Sequence, residues 1–365
     1  MKITVSVLKA DIGALAGHTA PSRGVLARVE AVLEEGQPLY LDRYVFHIGD
    51  DIVIVLTHEK GLGDQRIHGL AWRAFQEGTE VAKREGLYGA GQDLLKDAFT
   101  GNLHGLGPQV AEMVFEERPS EPLVVLAADK TEPGAFNLPL YLAFADPMYS
   151  SGLLLSPELR PGFRFRVLDV AKTERDTAID LEAPERLYDL ATLIRDPHRY
   201  VIQAIWSRRY PDEIAAVVST TRLRNIAGRY VGKDDPVAIV RTQKIFPATE
   251  ELGPPFGLVP FVAGNTRGSH HLPLMPVPAN TPATSFFCIP MVTALGFSLK
   301  DGRLSGPIDL FSDPAWEPIR AKAVEKAMEM RRQGFYGPAM LPMEELEYTG
   351  IMERLRALEA EFRPV

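Results

Sequence analysis

The sequence predicts a large mixed α/β sandwich, folded as one unit over its 365 residues. Three observations carry that expectation. Ile3, Val5 and Val7 alternate with Thr4 and Ser6, the period of a half-buried strand. Residues 40–48 and 52–58 form two further strand patterns joined by Gly49-Asp50-Asp51, a hairpin spacing. Helical patterns separate such strand pairs, with no internal repeat, low-complexity tract or linker between them.

The elements follow in order. Val25, Val29, Val32 and Leu33 mark an amphipathic helix over residues 22–36 with Gly36 as its stop. Ile67, Ala71, Ala74, Phe75 and Ala82 share one face of a second helix, residues 64–86. Residues 122–128 are apolar and short, a fully buried strand that runs into Asp129-Lys130-Thr131-Glu132-Pro133-Gly134. A short helix is expected over 138–144, an exposed-edge strand over 163–170 and a helix over 184–194. Residues 200–206 and 214–219 read as a strand pair, 221–228 as a short helix and 236–243 as a strand. The proline-rich stretch 247–290 resists assignment; long stretches without regular structure are usually functional or packed on a larger surface. A last hairpin turns at Lys300-Asp301-Gly302. A helix over 313–334, an extended segment through residue 348 and a charged helix over 352–362 complete the chain.

Composition narrows the function. A net charge of -8 argues against nucleic-acid binding, which needs a concentrated basic surface. The single cysteine, Cys288, excludes an intrachain disulfide framework and a cysteine-based zinc cluster. No apolar run approaches twenty residues, and Met1 leads directly into a strand pattern, so a cytoplasmic protein that contacts no membrane is expected.

The chemistry gathers in acidic turns. Ala227-Gly228-Arg229-Tyr230-Val231-Gly232-Lys233-Asp234-Asp235-Pro236 sets a lysine directly before two aspartates. A neutral lysine amine attacks carbonyls to form imines, and carboxylates hold hard cations through oxygen. A solvated turn is the alternative reading of the same residues. Asp11 with His18, Asp50-Asp51, Gln92-Asp93 and Asp129 add further acids, most of them at the ends or turns of predicted strands. Gathered on one rim of a sheet they would repel one another unless cations intervene, and oxygen donors with one imidazole favour Mg²⁺ over zinc. Lys130 and Arg267 stand in loops flanked by Gly or Pro, where a cation can hold a phosphate. His47, His58, His68, His104, His198, His270 and His271 show no metal-ligand spacing.

Together these residues carry a resemblance. Asp11-Ile12-Gly13, Gly17-His18, Gly49-Asp50-Asp51, Gly91-Gln92-Asp93-Leu94-Leu95 and Gly105-Leu106-Gly107-Pro108 are followed by Asp129-Lys130-Thr131-Glu132-Pro133-Gly134. Val231-Gly232-Lys233-Asp234-Asp235-Pro236, Arg267-Gly268-Ser269-His270 and Glu347-Tyr348-Thr349 come next, in the same order. Nearly end to end, the chain resembles the bifunctional fructose-1,6-bisphosphate aldolase/phosphatase family of archaea and deeply branching thermophilic bacteria.

The resemblance implies a four-layer α-β-β-α sandwich, a single domain, a homo-octamer and several Mg²⁺ ions. It implies condensation of dihydroxyacetone phosphate with glyceraldehyde 3-phosphate to fructose 1,6-bisphosphate, then loss of the 1-phosphate to give fructose 6-phosphate. By the same resemblance Lys233 forms the Schiff base, Tyr230 is the aldol proton donor and acceptor, and Asp11 is the phosphatase general base. Metal ligands carry over to Asp11, His18, Asp50, Asp51, Gln92, Asp129, Asp234 and Asp235. Substrate contacts carry over to His18, Tyr88, Gln92, Gly101, Asn102, Asp129, Lys130, Gln243, Arg267 and Tyr348. The sequence departs at Phe287, where the family places a sugar-binding aspartate. That departure motivates two alternatives, a Mg²⁺-dependent sugar bisphosphatase without aldolase activity and a non-catalytic regulator that binds phosphorylated metabolites.

The residues bear on the lysine chemistry independently. A lysine with a pKa of about 10.4 is neutral in roughly one molecule in a few thousand at pH 7. Bare carboxylates at Asp234 and Asp235 would stabilise its ammonium. Once Mg²⁺ occupies them the local sign reverses and the free amine is favoured.

Overall fold

Alternating side chains along β1 (Lys2–Asp11) send successive residues to opposite faces, and that division organises the whole molecule. The computed structural model describes residues 1–94, 107–172, 176–222, 234–258, 261–263, 271–286, 288–332 and 350–365. The first half of the chain contributes β2 (Asp42–Ile48), β3 (Asp51–His58), β4 (Gln109–Glu116), β5 (Glu121–Asp129), β6 (Phe163–Asp169) and β7 (Thr177–Ala183). Then come β8 (Tyr200–Ser207), β9 (Ile214–Val218), β10 (Thr221–Arg222), β11 (Val237–Arg241), β12 (Phe261–Ala263) and β13 (His271–Pro273). The last strands are β14 (Met275–Pro276), β15 (Met291–Lys300), β16 (Arg303–Asp309) and β17 (Arg363–Pro364). The helices are α1 (Arg23–Glu35), α2 (Gln65–Arg84), α3 (Asn137–Phe144), α4 (Gly152–Leu155), α5 (Leu187–Ile194), α6 (Thr249–Leu252), α7 (Glu317–Arg332) and α8 (Gly350–Glu359).

Two large sheets result. One has the order β10-β4-β1-β3-β2. The other runs β14-β15-β5-β11-β9-β8-β6-β7-β17, with β16 also paired to β15. Three cores separate the layers. Leu8, Ala10, Ile54 and Leu56 of the smaller sheet pack on Val25, Val29, Ala74 and Phe75 of α1 and α2. Ile3, Val5, Val7, Val53 and Val55 meet Leu123, Val125, Ala127, Val237 and Ile239 between the sheets. Val124, Leu126 and Ala128 face outward onto a third core with Leu140, Phe144, Leu190, Leu193 and Leu358 of α3, α5 and α8. This is the four-layer helix–sheet–sheet–helix order. The Ser22 hydroxyl caps α1 by accepting the Val25 N–H at 3.1 Å, and the Asp64 carboxylate caps α2.

Several expectations are corrected. The strand expected at an exposed edge, β6, lies inside the larger sheet between β7 and β8. Its half-buried Arg164 and Arg166 do not mark an edge: they pair with Asp180 of β7 and stack on Trp206 of β8. The stretch expected as a helix from residue 221 begins instead as β10, paired to β4, and residues 223–233 lie outside the described part. The unassigned region 247–290 contains α6, a 3₁₀ turn and β12 to β14. β4 and β7 were not read from the sequence. The segment before residue 348 lies outside the described residues. Among the described residues no helix is long and apolar enough to cross a membrane.

Candidate metal centre

The middle core turns polar at one end of the sandwich. On β1 the alternation that places Ile3, Val5 and Val7 between the sheets continues to Lys9 and Asp11. On β3 it carries Val55 and Val53 to Asp51, and on β5 it carries Leu123, Val125 and Ala127 to Asp129. β4 follows suit from Phe115, Met113 and Ala111 to Gln109. Antiparallel pairing aligns Asp11 with Asp51, while the larger sheet supplies Asp129 from across the gap. Asp50 comes from the β2–β3 turn.

Ligand atoms of Asp11, His18 and Asp50 lie within 4.8 Å of one another, as do those of Asp50, Asp51 and Asp129. All four aspartates are buried, Asp129 completely. His18 Nδ1 is 3.1 Å from Asp50 Oδ2, and its ring meets Tyr88 edge-on at 4.9 Å between centroids. Lys130 Nζ donates to Asp50 Oδ1 and, at 2.9 Å, to Asp129 Oδ1. Lys9 Nζ donates to Asp51 Oδ2.

The backbone holds these groups in place. The Gly13 N–H donates to Asp11 Oδ1 at 3.1 Å, and the Asp11 N–H donates to Asp93 Oδ2 at 2.8 Å. Gly91 and Asp93 donate backbone N–H groups to the Ile12 and Asp11 carbonyls, which straps the turn bearing Gln92 to the end of β1. A reciprocal backbone pair joins Ala14 to Tyr88. The Gly49 N–H donates to the Thr281 carbonyl and the Ala283 N–H to the Thr19 carbonyl, so one loop braces both the Asp50 turn and the His18 loop. On the other rim, the Thr131 N–H donates to Asp235 Oδ1 at 2.5 Å. Gln109 Nε2 donates to the Asp234 and Asp235 carbonyls at 2.7 and 2.5 Å, while Gln109 Oε1 accepts from the Ser219 hydroxyl.

Electrostatics divides the aspartates. Burial, reinforced by Asp50, Asp51 and Asp93, pushes the Asp11 carboxyl well above the usual range against the opposing Lys130. Burial likewise raises Asp129; Lys130 opposes it, and Asp50, Asp51 and Asp235 add to it. Burial also works against the charge on Asp50, but Lys130 and His18 outweigh it and hold Asp50 well below the usual range. For both lysines burial opposes the charge and the surrounding aspartates prevail, raising Lys130 strongly and Lys9 less so.

The residues fit a hard divalent cation. Apart from His18 the donors are carboxylate oxygens. Asp129 Oδ2 and Gln92 Oε1 are buried without a hydrogen-bond partner among the described residues. Asp129 Oδ2 also occupies the place of a side chain at residue 49, since a Cβ there would fall 1.7 Å from it.

Of the site residues expected from the sequence, Asp11, His18, Asp50, Asp51, Asp129 and Lys130 converge. Gln92 and Tyr88 stand on the turn strapped to Asp11, and Asp235 reaches the rim through Thr131. Asp234 is buried beside it, its carbonyl held by Gln109, and its charge acts on His198. Gln243 does not join them within one chain. β11 pairs with β5 from Val237 opposite Ala127 to Arg241 opposite Leu123, so Gln243 emerges at the far end, where its amide donates to Glu250. Gly101, Asn102, Tyr230, Lys233, Arg267, Phe287 and Tyr348 lie outside the described residues. Sequence reasoning counted Asp93 among the acids but missed Lys9, Gln109 and the steric role of Gly49. Lys9 alone carried a signal, a charge at an inward position of an otherwise apolar strand face.

Comparison with known proteins agrees with this chemistry. A family model described as fructose-1,6-bisphosphatase matches residues 2–363. Over 363 residues the chain is 77% identical to fructose-1,6-bisphosphate aldolase/phosphatase of Thermus thermophilus, covering 99% of this chain and 100% of that protein. The proteins of the same name from Ignicoccus hospitalis and Cenarchaeum symbiosum are 52% and 50% identical, each over 100% of this chain and 94% and 96% of their own lengths.

Proposed function

The chain belongs to the fructose-1,6-bisphosphatase family, and from that premise we propose that it is a bifunctional aldolase/phosphatase whose phosphate chemistry takes place at the acidic cluster. It joins dihydroxyacetone phosphate and glyceraldehyde 3-phosphate, then hydrolyses the 1-phosphate of fructose 1,6-bisphosphate. The observation that carries this reading is the convergence of Asp50, Asp51 and Asp129 within 4.8 Å, with the Lys130 amine touching two of them.

Asp11, His18, Asp50, Asp51, Gln92, Asp129, Asp234 and Asp235 are the proposed Mg²⁺ ligands. When bound, the ions supply positive charge that offsets the phosphate oxygens and lowers the pKa of water. Asp11, fixed through Oδ1 by the Gly13 N–H, takes the proton from the attacking water. Lys130 sits in a left-handed backbone conformation (φ +63°) at the mouth of the cluster. Its ammonium is placed to leave Asp50 and Asp129 for a phosphate oxygen once cations replace it there. His18 and Tyr88, packed ring against ring, form one wall of the substrate space.

For the aldol half, Lys233 is the imine-forming nucleophile and Tyr230 the proton donor and acceptor. Lys233 is bonded directly to Asp234, whose carbonyl Gln109 holds. Gly101, Asn102, Arg267 and Tyr348 complete the proposed substrate contacts. Gln243 stands about 26 Å along the chain from Asp235 at roughly 3.3 Å per strand residue, so its contact is proposed across a subunit boundary of a homo-octamer.

Asp51→Asn and Asp129→Asn, assayed for Mg²⁺-dependent phosphate release, are each expected to lose most activity; near-wild-type rates in both would refute the metal assignment. Phe287 favours the second reading, a bisphosphatase without aldolase activity. Incubation with dihydroxyacetone phosphate and borohydride separates the two: an adduct on Lys233 supports the bifunctional enzyme, and none supports the bisphosphatase alone.

A further inference from the structure

Among the described residues two lysines reach the acidic cluster, and they differ in kind. Lys130 stands at the rim with 13% of its side chain exposed and touches two aspartates. Lys9 rises from the floor with 1% exposed, in register with Val53 of β3 and Gln109 of β4, and its amine contacts Asp51. Its stem follows Val7 out of the apolar middle core, so no solvent ion can take its place without unpacking that core.

We propose that Lys9 is a permanent cation of the site, a positioning residue that holds Asp51 through Oδ2 and leaves Asp51 one oxygen for Mg²⁺. The proposal rests on the metal reading above. It follows from how carboxylates bind. A buried aspartate with both oxygens unoccupied can rotate or take a cation through both, whereas one anchored by an ammonium has a fixed orientation and a single remaining donor. Asp50 and Asp129, by contrast, share the ammonium of Lys130, which stands at the partly exposed rim. The floor of the site is thus set by the fold, and its rim by whatever occupies it.

The fixed charge also compensates the cluster in the absence of metal. Among the described residues Asp11, Asp50, Asp51 and Asp129 meet two ammoniums, and removal of Lys9 takes from Asp51 its hydrogen-bonded cation and leaves it buried beside like charges.

Lys9→Met keeps the stem and deletes the charge. In chelator, its melting temperature is expected to fall by about 5–10 °C. Mg²⁺ is expected to restore most of that loss, giving a larger Mg²⁺-induced shift than in the wild type. At saturating Mg²⁺ the kcat for phosphate release is expected to fall at least about tenfold without a rise in the half-saturating Mg²⁺ concentration, because the cation site survives while Asp51 loses its aim. Adding Asp51→Asn to Lys9→Met should recover the melting temperature in chelator. A drop that neither Mg²⁺ nor Asp51→Asn relieves would show that Lys9 only fills space, and would overturn the proposal. A wild type whose melting temperature ignores Mg²⁺ would instead refute the metal reading itself.

Discussion

At Gly49 the backbone and a carboxylate compete for one space. The residue adopts φ +53°, and a methyl group there would overlap Asp129 Oδ2. Gly49→Ala therefore combines a left-handed backbone cost of about 1 kcal/mol with displacement of a proposed ligand. Phosphate release at fixed Mg²⁺ is expected to drop more than about tenfold. Gly61→Ala is the control, because Gly61 has φ +81° and a methyl group added to it would meet nothing within 4 Å. It should share the backbone cost and keep the activity. If the two variants behave alike, Gly49 matters only for its turn. The sequence showed Gly49-Asp50-Asp51 as a turn, but it held no sign that Asp129, eighty residues later, would press against it.

Among the elements, β5 carries an acid at each end, Glu121 and Asp129, with opposite uses. Away from the metal centre, Glu121 and Arg241 are fully buried and paired at 2.7 Å, with Arg118 donating to Glu121 and to the carbonyls of Thr242 and Gln243. The Arg241 guanidinium also lies 4.2 Å from the centroid of Phe115. Every charge in this group has a partner, so it acts as a clamp that fixes the end of β11. Glu121→Gln is expected to cost about 3 kcal/mol in chemical denaturation, since Arg241 loses its fully buried carboxylate and keeps the half-buried Glu213 and the Ile214 carbonyl. Burial opposes the Glu121 charge, but Arg241 and Arg118 outweigh it and hold the pKa below its ordinary 4.5. Its contribution is thus present above pH 4.5 and disappears as pH falls through the lowered value. The gap between wild type and variant should close with acidification, and a gap independent of pH would show that packing, not charge, holds the clamp. Most elements here were legible because period-2 and period-3.6 patterns mark buried faces. β6 misled because Arg164 and Arg166 look like edge residues, whereas Asp180 and Trp206 satisfy them inside the sheet. β4 escaped because Val110 and Val114 put apolar residues on its second face and blur the alternation, whereas β7 alternates plainly, Ile179, Leu181 and Ala183 buried and Asp180 and Glu182 exposed.

For the whole molecule, what was legible locally was the list of acids; what was not was their meeting. Asp11 and Asp51 come together because β3 lies beside β1, an arrangement the first hairpin does not dictate. Asp129 joins them only because a second sheet lies across the middle core. The resemblance supplied that convergence where periodicity had none to offer. Gln243, included on the same resemblance, stands at the wrong end of its strand for a site within one chain.

Because Asp51 and Asp129 belong to different sheets, the filling between those sheets acts as a caliper. Ala111 and Ala127 sit in that layer just behind Gln109 and Asp129, while Phe115, Leu123 and Phe297 thicken it farther back. A cavity or an added methylene far from any donor would tilt one sheet against the other and open or close the jaws on the ion. Tuning of affinity at the proposed metal site is therefore open to residues that never meet the ligands, through the thickness of an apolar layer.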